Sequence, residues 1–142
     1  MSTEVMDVVE GEGYAVGNLA ALGEGYGFRK IRAALGVTAF GVNAIIFPPH
    51  YDGPEHYHDT QDELYFVHHG TATFEIEGAE HVVAEGGLVH VESTTPRRVS
   101  NRTDDEVVLL IVGGKGGYVS RDGQLVSPDD LAKRQGLTKG AD

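Results

Sequence analysis

The sequence predicts an all-β protein folded as a barrel or sandwich, on three observations. Short runs rich in Val, Ile, Phe and Tyr are punctuated by 20 glycines and 5 prolines, as strands joined by turns would be. Nine such runs fall between residues 28 and 112, a density that suits a sandwich or barrel. Residues 71–77 alternate, with Ala72, Phe74 and Ile76 on one face and Thr71, Thr73, Glu75 and Glu77 on the other, as in an antiparallel strand with one wet face.

The elements follow in order. Residues 1–27 read as an N-terminal extension; its Gly-rich part, 11–27, is a loop with a short helix or edge strand near 16–22. Strands are predicted at 28–32, 41–47, 55–58, 63–68, 71–77, 81–84, 88–92, 97–101 and 107–112, within a barrel spanning 28–118. The last is an unbroken apolar run suited to a strand buried on both sides; its β-branching and the Gly113-Gly114 stop favour strand over helix. In the C-terminal extension, 119–142, Ser127-Pro128-Asp129-Asp130 supplies a cap, a proline at the first helical position and acids in the first turn. That pattern predicts a short helix to about Gln135, stopped by Gly136, with a frayed tail over 137–142.

Composition bounds the function. A chain of 142 residues makes one domain, and 40% hydrophobic residues suffice for an ordinary core. With 22 acidic against 11 basic residues, the formal charge of -11 repels nucleic acid and anionic membranes. Without cysteine, the strong metal ligands available are His, Asp and Glu. The N-terminus lacks a basic region followed by an apolar run, and no stretch approaches the roughly 18 apolar residues of a membrane span, so a cytoplasmic protein is expected.

Five of the 7 histidines lie between His50 and His69. The sharpest piece is His56-Tyr57-His58, because residues two apart on a strand share a face and both imidazoles can meet one ion. After a turn-sized gap, Glu63 opens the next strand and can bring a carboxylate to the same point. Two imidazoles and a carboxylate suit Fe, Mn, Ni or Zn and leave positions open for water or substrate.

At these residues the sequence resembles the cupin superfamily. His56, His58, Glu63 and Gly70 fall in register with its first motif, Gly-x5-His-x-His-x4-Glu-x6-Gly, with His50 at the leading glycine and Gly53 following late. Of the second motif, Gly-x5-Pro-x-Gly-x2-His-x3-Asn, Gly86 and Asn101 match, while Glu92, Thr94 and Arg97 replace the proline, glycine and histidine. The resemblance covers about residues 41–112 and implies a double-stranded β-helix, or jelly roll, with a site inside its mouth. It further implies a divalent metal held by His56, His58 and Glu63, with Arg97 at the position of the fourth ligand, which a guanidinium cannot supply.

The expected function is a metal-dependent reaction on a small organic molecule, of dioxygenase, isomerase or lyase type. In that scheme Arg97 binds an anionic part of the substrate, and Tyr65 or His90 orients it or moves a proton. The alternative is a metal-free module in which the same groups bind an anionic metabolite or sugar, with Arg97 paired to Glu63 or turned to solvent beside Arg98. His90 shares a face with Leu88 and Glu92 that is either interior or exposed, and His50 is a candidate lid or pocket wall. The resemblance also suggests a homodimer, in which the segment around 28–32 could lie along another subunit's sheet edge.

Overall fold

The computed structural model describes residues 7–120 and 122–140, the last six as backbone only. In chain order the elements are β1 (Val9–Gly11), β2 (Tyr14–Val16), a 3₁₀ turn at Leu19–Ala21, β3 (Gly27–Arg29), α1 (Ile31–Leu35), β4 (Gly41–Phe47), β5 (Glu55–His58) and β6 (Asp62–His69). They continue through β7 (Ala72–Ile76), β8 (Ala79–Val83), β9 (Leu88–Val91), β10 (Arg97–Ser100), β11 (Val107–Gly114), β12 (Gly123–Leu125) and α2 (Pro128–Gly140).

Two five-stranded antiparallel sheets, ordered β12-β5-β10-β7-β8 and β3-β4-β11-β6-β9, form the barrel, and β1 and β2 make a separate hairpin. The inward residues of both sheets meet in one core: Val67, Val107 and Leu109 from one and Ala72 and Phe74 from the other have no exposed surface. Close backbone approach fixes one corner. A Cβ on Gly53 would stand 1.9 Å from the Val99 carbonyl oxygen, so only glycine lets the chain entering β5 lie on β10.

The all-β jelly roll and the strand run 41–47 agree with the sequence reading, and four local expectations are corrected. The strand expected over 28–32 ends at Arg29, because Ile31–Leu35 is rich in good helix formers and Gly36 closes that helix with φ 68°. That strand pairs with β4 of its own chain. The C-terminal helix continues through Gly136 to Gly140, since a lone glycine costs a helix only about 1 kcal/mol and stops it only in a left-handed cap; Ala141 and Asp142, the end of the expected tail, lie outside the described residues. β12 went unforeseen; it extends the barrel sheet from within the segment read as a C-terminal extension. Finally, β11 is not buried on both sides: Val107 and Leu109 face the core, whereas Val108, Leu110 and Val112 are only half-buried.

One carboxylate fastens α2 to the barrel. Asp130, 2% exposed, accepts from the Ser127 amide (3.0 Å) and hydroxyl (2.9 Å) and from the Glu55 amide of β5 (2.9 Å), and lies 3.6 Å from Arg98. Ser127 therefore caps through Asp130 rather than by its own hydroxyl oxygen. Burial raises this carboxyl, but the amide and hydroxyl donors and Arg98 outweigh it and hold it below the usual range. Its contribution is thus present above the ordinary carboxyl range and fades as pH falls through the lowered value. Asp130→Ala should cost about 2 kcal/mol in urea unfolding and speed hydrogen exchange at the Glu55 amide. An unchanged midpoint would mean that the helix is held elsewhere.

Candidate metal centre

The extended conformation of β5 turns His56 and His58 to the same side, and Glu63 comes to them from β6 of the facing sheet. The Glu63 Oε1 lies 3.0 Å from His58 Nε2 and 3.8 Å from His56 Nε2, and one donor atom from each residue falls within 4.8 Å of the others. Gly113 pairs with Glu63 in register, and a Cβ there would approach the Asp62 carbonyl to 3.1 Å and the Glu63 side chain to 3.4 Å. The glycine keeps that carboxylate's position open.

The hydrogen bonds around Glu63 run in one direction. Burial by itself raises its carboxyl, but the His56 and His58 imidazoles beside it and the Tyr65 hydroxyl, which donates at 2.6 Å, together hold it far below the ordinary range. Tyr65 is 2% exposed; burial and the neighbouring Glu63 push its hydroxyl well above its usual value, so it stays a neutral donor.

Behind His58 stand two residues that sequence reasoning missed. Asp122 Oδ2 is 3.6 Å from His58 Nδ1, and the Gln61 side-chain amide is 3.3 Å from the same atom. Asp122 accepts the Thr60 and Gln61 amides, the latter at 2.7 Å, and these outweigh burial to hold its carboxyl below the usual range. A proton on His58 Nδ1 facing these groups leaves the Nε2 lone pair for an ion. With the Gln61 amide turned so that Oε1 meets the ring, that otherwise unpartnered buried oxygen gains a donor as well. Asp122 sits in the segment that carried no strand or motif signal.

This donor set fits a first-row divalent ion. Ligand bonds of about 2.1 Å place adjacent donors roughly 3 Å apart, a spacing that His58 and Glu63 already show and that His56 reaches by a small closure. The backing of His58 by a carboxylate is the outer-shell arrangement that metal-binding histidines use. Asp122→Asn should therefore weaken Ni(II) binding about tenfold in calorimetric titration, with the fold retained. Equal affinity would show that Asp122 serves only the turn at Thr60.

The three groups open into a cavity of about 480 Å³ walled by Phe28, Ile45, Phe47, Val99, Leu109 and Ile111, and Tyr65 also lines it. Arg97 is fully buried and points inward, its register partner being His56, but it does not line the cavity. Its Nη2 donates to the Glu92 carbonyl at 2.9 Å, with the Val91 carbonyl at 3.5 Å, while Nε and Nη1 have no partner. No ion pair joins it to Glu63 among the described residues; Arg98 is the one that turns outward, toward Asp52, Glu75 and Asp130. His90 lies exposed on the outer side of β9, with Leu88, outside this cavity. His50 is exposed and paired to Asp104 at 2.6 Å, likewise away from the cavity.

Comparison with known proteins agrees with this geometry. The Cupin domain family matches residues 44–113, the span that holds all three donors. A cupin protein from Bacteroides fragilis superposes with a TM-score of 0.63 at 18% identity, covering 72% of this chain and 85% of the other. A sugar phosphate isomerase of the cupin superfamily from Silicibacter pomeroyi gives 0.60 at 20% identity, covering 83% and 78%. The DMSP lyase DddQ from Ruegeria pomeroyi gives 0.57 at 22%, covering 64% of this chain and 45% of the other. No curated protein sequence matches. The chain belongs to the cupin superfamily. Its site offers two imidazoles and one carboxylate, with the buried Arg97 as the register partner of His56.

Proposed function

We propose that this is a cytoplasmic metal-dependent cupin that acts on a small organic molecule through a divalent ion on His56, His58 and Glu63. One observation carries the reading: three donors converge at the edge of a cavity large enough for a metabolite, and one of them is backed by Asp122. When bound, the ion supplies Lewis-acid or oxygen-activating chemistry of the kind isomerases, lyases and dioxygenases use. The chain's own groups do the rest. Tyr65 Oη keeps its proton and gives it to Glu63, so it fixes that carboxylate and can meet a hydroxyl oxygen of the substrate only by accepting that oxygen's proton. The apolar walls exclude water from that oxygen. Arg97 contributes from below by fixing the Val91 and Glu92 carbonyls, and not by touching substrate.

The test is elemental analysis of tag-free protein reloaded with Fe, Mn, Ni or Zn, beside His56→Ala. About one ion per chain, lost in the variant, is expected. Absence of any ion under every loading, with metabolites still raising the melting temperature, would favour the metal-free binding module instead.

A homodimer forms part of this proposal. The outer side of the β3-β4-β11-β6-β9 sheet carries Ile46 and Val108, then Ala44, Leu110, Phe66 and Leu88, with Leu64 42% and Leu88 65% exposed. On a chain of charge -11, this mostly apolar side, with Arg29 in register with Ala44 and Asp62 beside Lys115 at its margins, is where a second copy meets least repulsion. Light scattering at micromolar concentration should give twice the chain mass, and Leu88→Glu should halve it.

A further inference from the structure

The cavity's walls define what it accepts. Along β11, Gly113 pairs with Glu63 and Val107 pairs with Phe47, so the carboxylate and Phe47 lie toward opposite ends of that strand, with Ile111 and Leu109 lining the cavity between them. Polar groups gather at the first end: His56, His58, Gln61 and Glu63, with Asn43 in register with Ile111. The other end is apolar. Phe47 and Tyr51 stack there with centroids 4.9 Å apart, Pro54 and Val99 complete the wall, and the Tyr51 hydroxyl already donates to the Lys133 carbonyl.

Charge narrows the class further. Two carboxylates, Glu63 and Asp122, face the cavity, and among the described residues its one cationic wall residue is Arg134, which is already engaged within the chain. Neither a lysine nor a helix N-terminus opens onto it. A phosphate dianion would find the Arg134 guanidinium already engaged and no amide cradle, and a sugar's hydroxyls would face hydrocarbon along most of the wall.

Resting on the metal reading above, we infer that the ligand is an uncharged or singly charged molecule with an apolar body of aromatic-ring size. Its one oxygen-bearing end meets His56, His58 and Glu63, and the apolar wall beyond them suits a ring better than the hydroxyls of a phosphorylated sugar.

Calorimetric titration of the full chain, with and without Mn(II), tests this using phenylpyruvate, pyruvate and glucose 6-phosphate. Phenylpyruvate should bind roughly tenfold or more tightly than pyruvate, because the two share a head group and differ by a buried ring. Glucose 6-phosphate should give no saturable heat. Equal affinities for the two oxo acids, or tight binding of glucose 6-phosphate, would overturn the inference. Val99→Phe fills the apolar end and should erase the preference while leaving the metal content unchanged. Phe28→Trp, at an exposed part of the wall in register with Ile45, gives the same readout if the first variant does not fold; a preference that persists in either folded variant counts against the assignment. The two readings separate cleanly. Preference for phenylpyruvate in protein that takes up no metal would retain the ligand class and remove the ion, whereas one Mn(II) per chain with no preference would do the reverse.

Discussion

Glu63→Ala should lower Ni(II) or Mn(II) affinity by more than about a hundredfold, the largest effect expected of any single change in this chain. Loss of an outer partner alone commonly costs about 10 to 100-fold, and Glu63 is the one anionic donor of the three. The variant should also unfold more easily without metal. Its removal leaves the Tyr65 hydroxyl, now donating at 2.6 Å, without an acceptor in a fully buried position, a loss of about 1–3 kcal/mol. Thermal denaturation separates the two effects. Metal at about a hundred times its dissociation constant should stabilise wild type by about 2.7 kcal/mol and leave Glu63→Ala unmoved. If both proteins take up metal equally, the ion sits elsewhere and the three donors form only a polar cluster.

The barrel was legible in the sequence where strands alternate or turns are marked. Gly70 and Gly78 bracket β7, and both take positive φ, as their turns demand. The pair His56 and His58 was legible for the same reason: a period of two needs no tertiary knowledge to put both rings on one side. Position in space was harder. Nothing local marks Asp122 or Gln61 as partners of His58, because Asp122 reaches the ring only when β12 joins β5, and β12 is three residues long with glycine at its start. His90 illustrates the opposite difficulty. Its periodicity groups it with Leu88 and Glu92, but which side of a strand is wet depends on the sheet it pairs with, and Leu88 proves to be 65% exposed. A strand of uniform apolarity has the same ambiguity, which is why β11 reads as buried on both sides while its outer residues stay half-open.

Arg97 is where sequence and structure together make the sharpest demand. Among the described residues, this fully buried guanidinium has no carboxylate within ion-pair range, an arrangement that ordinarily costs several kcal/mol, and two of its nitrogens find no acceptor. What it holds are the Glu92 and Val91 carbonyls, at the end of β9 just before the turn into β10. Arg97→Met should keep much of the packing, free those carbonyls and cost about 1–3 kcal/mol in urea unfolding. Arg97→His should cost at least as much, since the shorter side chain also leaves space in the core. The metal readings of the two should diverge. An imidazole on β10 directly opposite His56 stands next to the existing donors, so Arg97→His should bind Ni(II) more than about tenfold tighter than Arg97→Met, while removal of the buried positive charge is common to both. Calorimetry on the pair isolates the added ligand from the lost charge. Equal affinities would mean that the side chain at this position points only along the path the guanidinium takes, toward Glu92, and would leave the centre with three protein ligands whatever stands there.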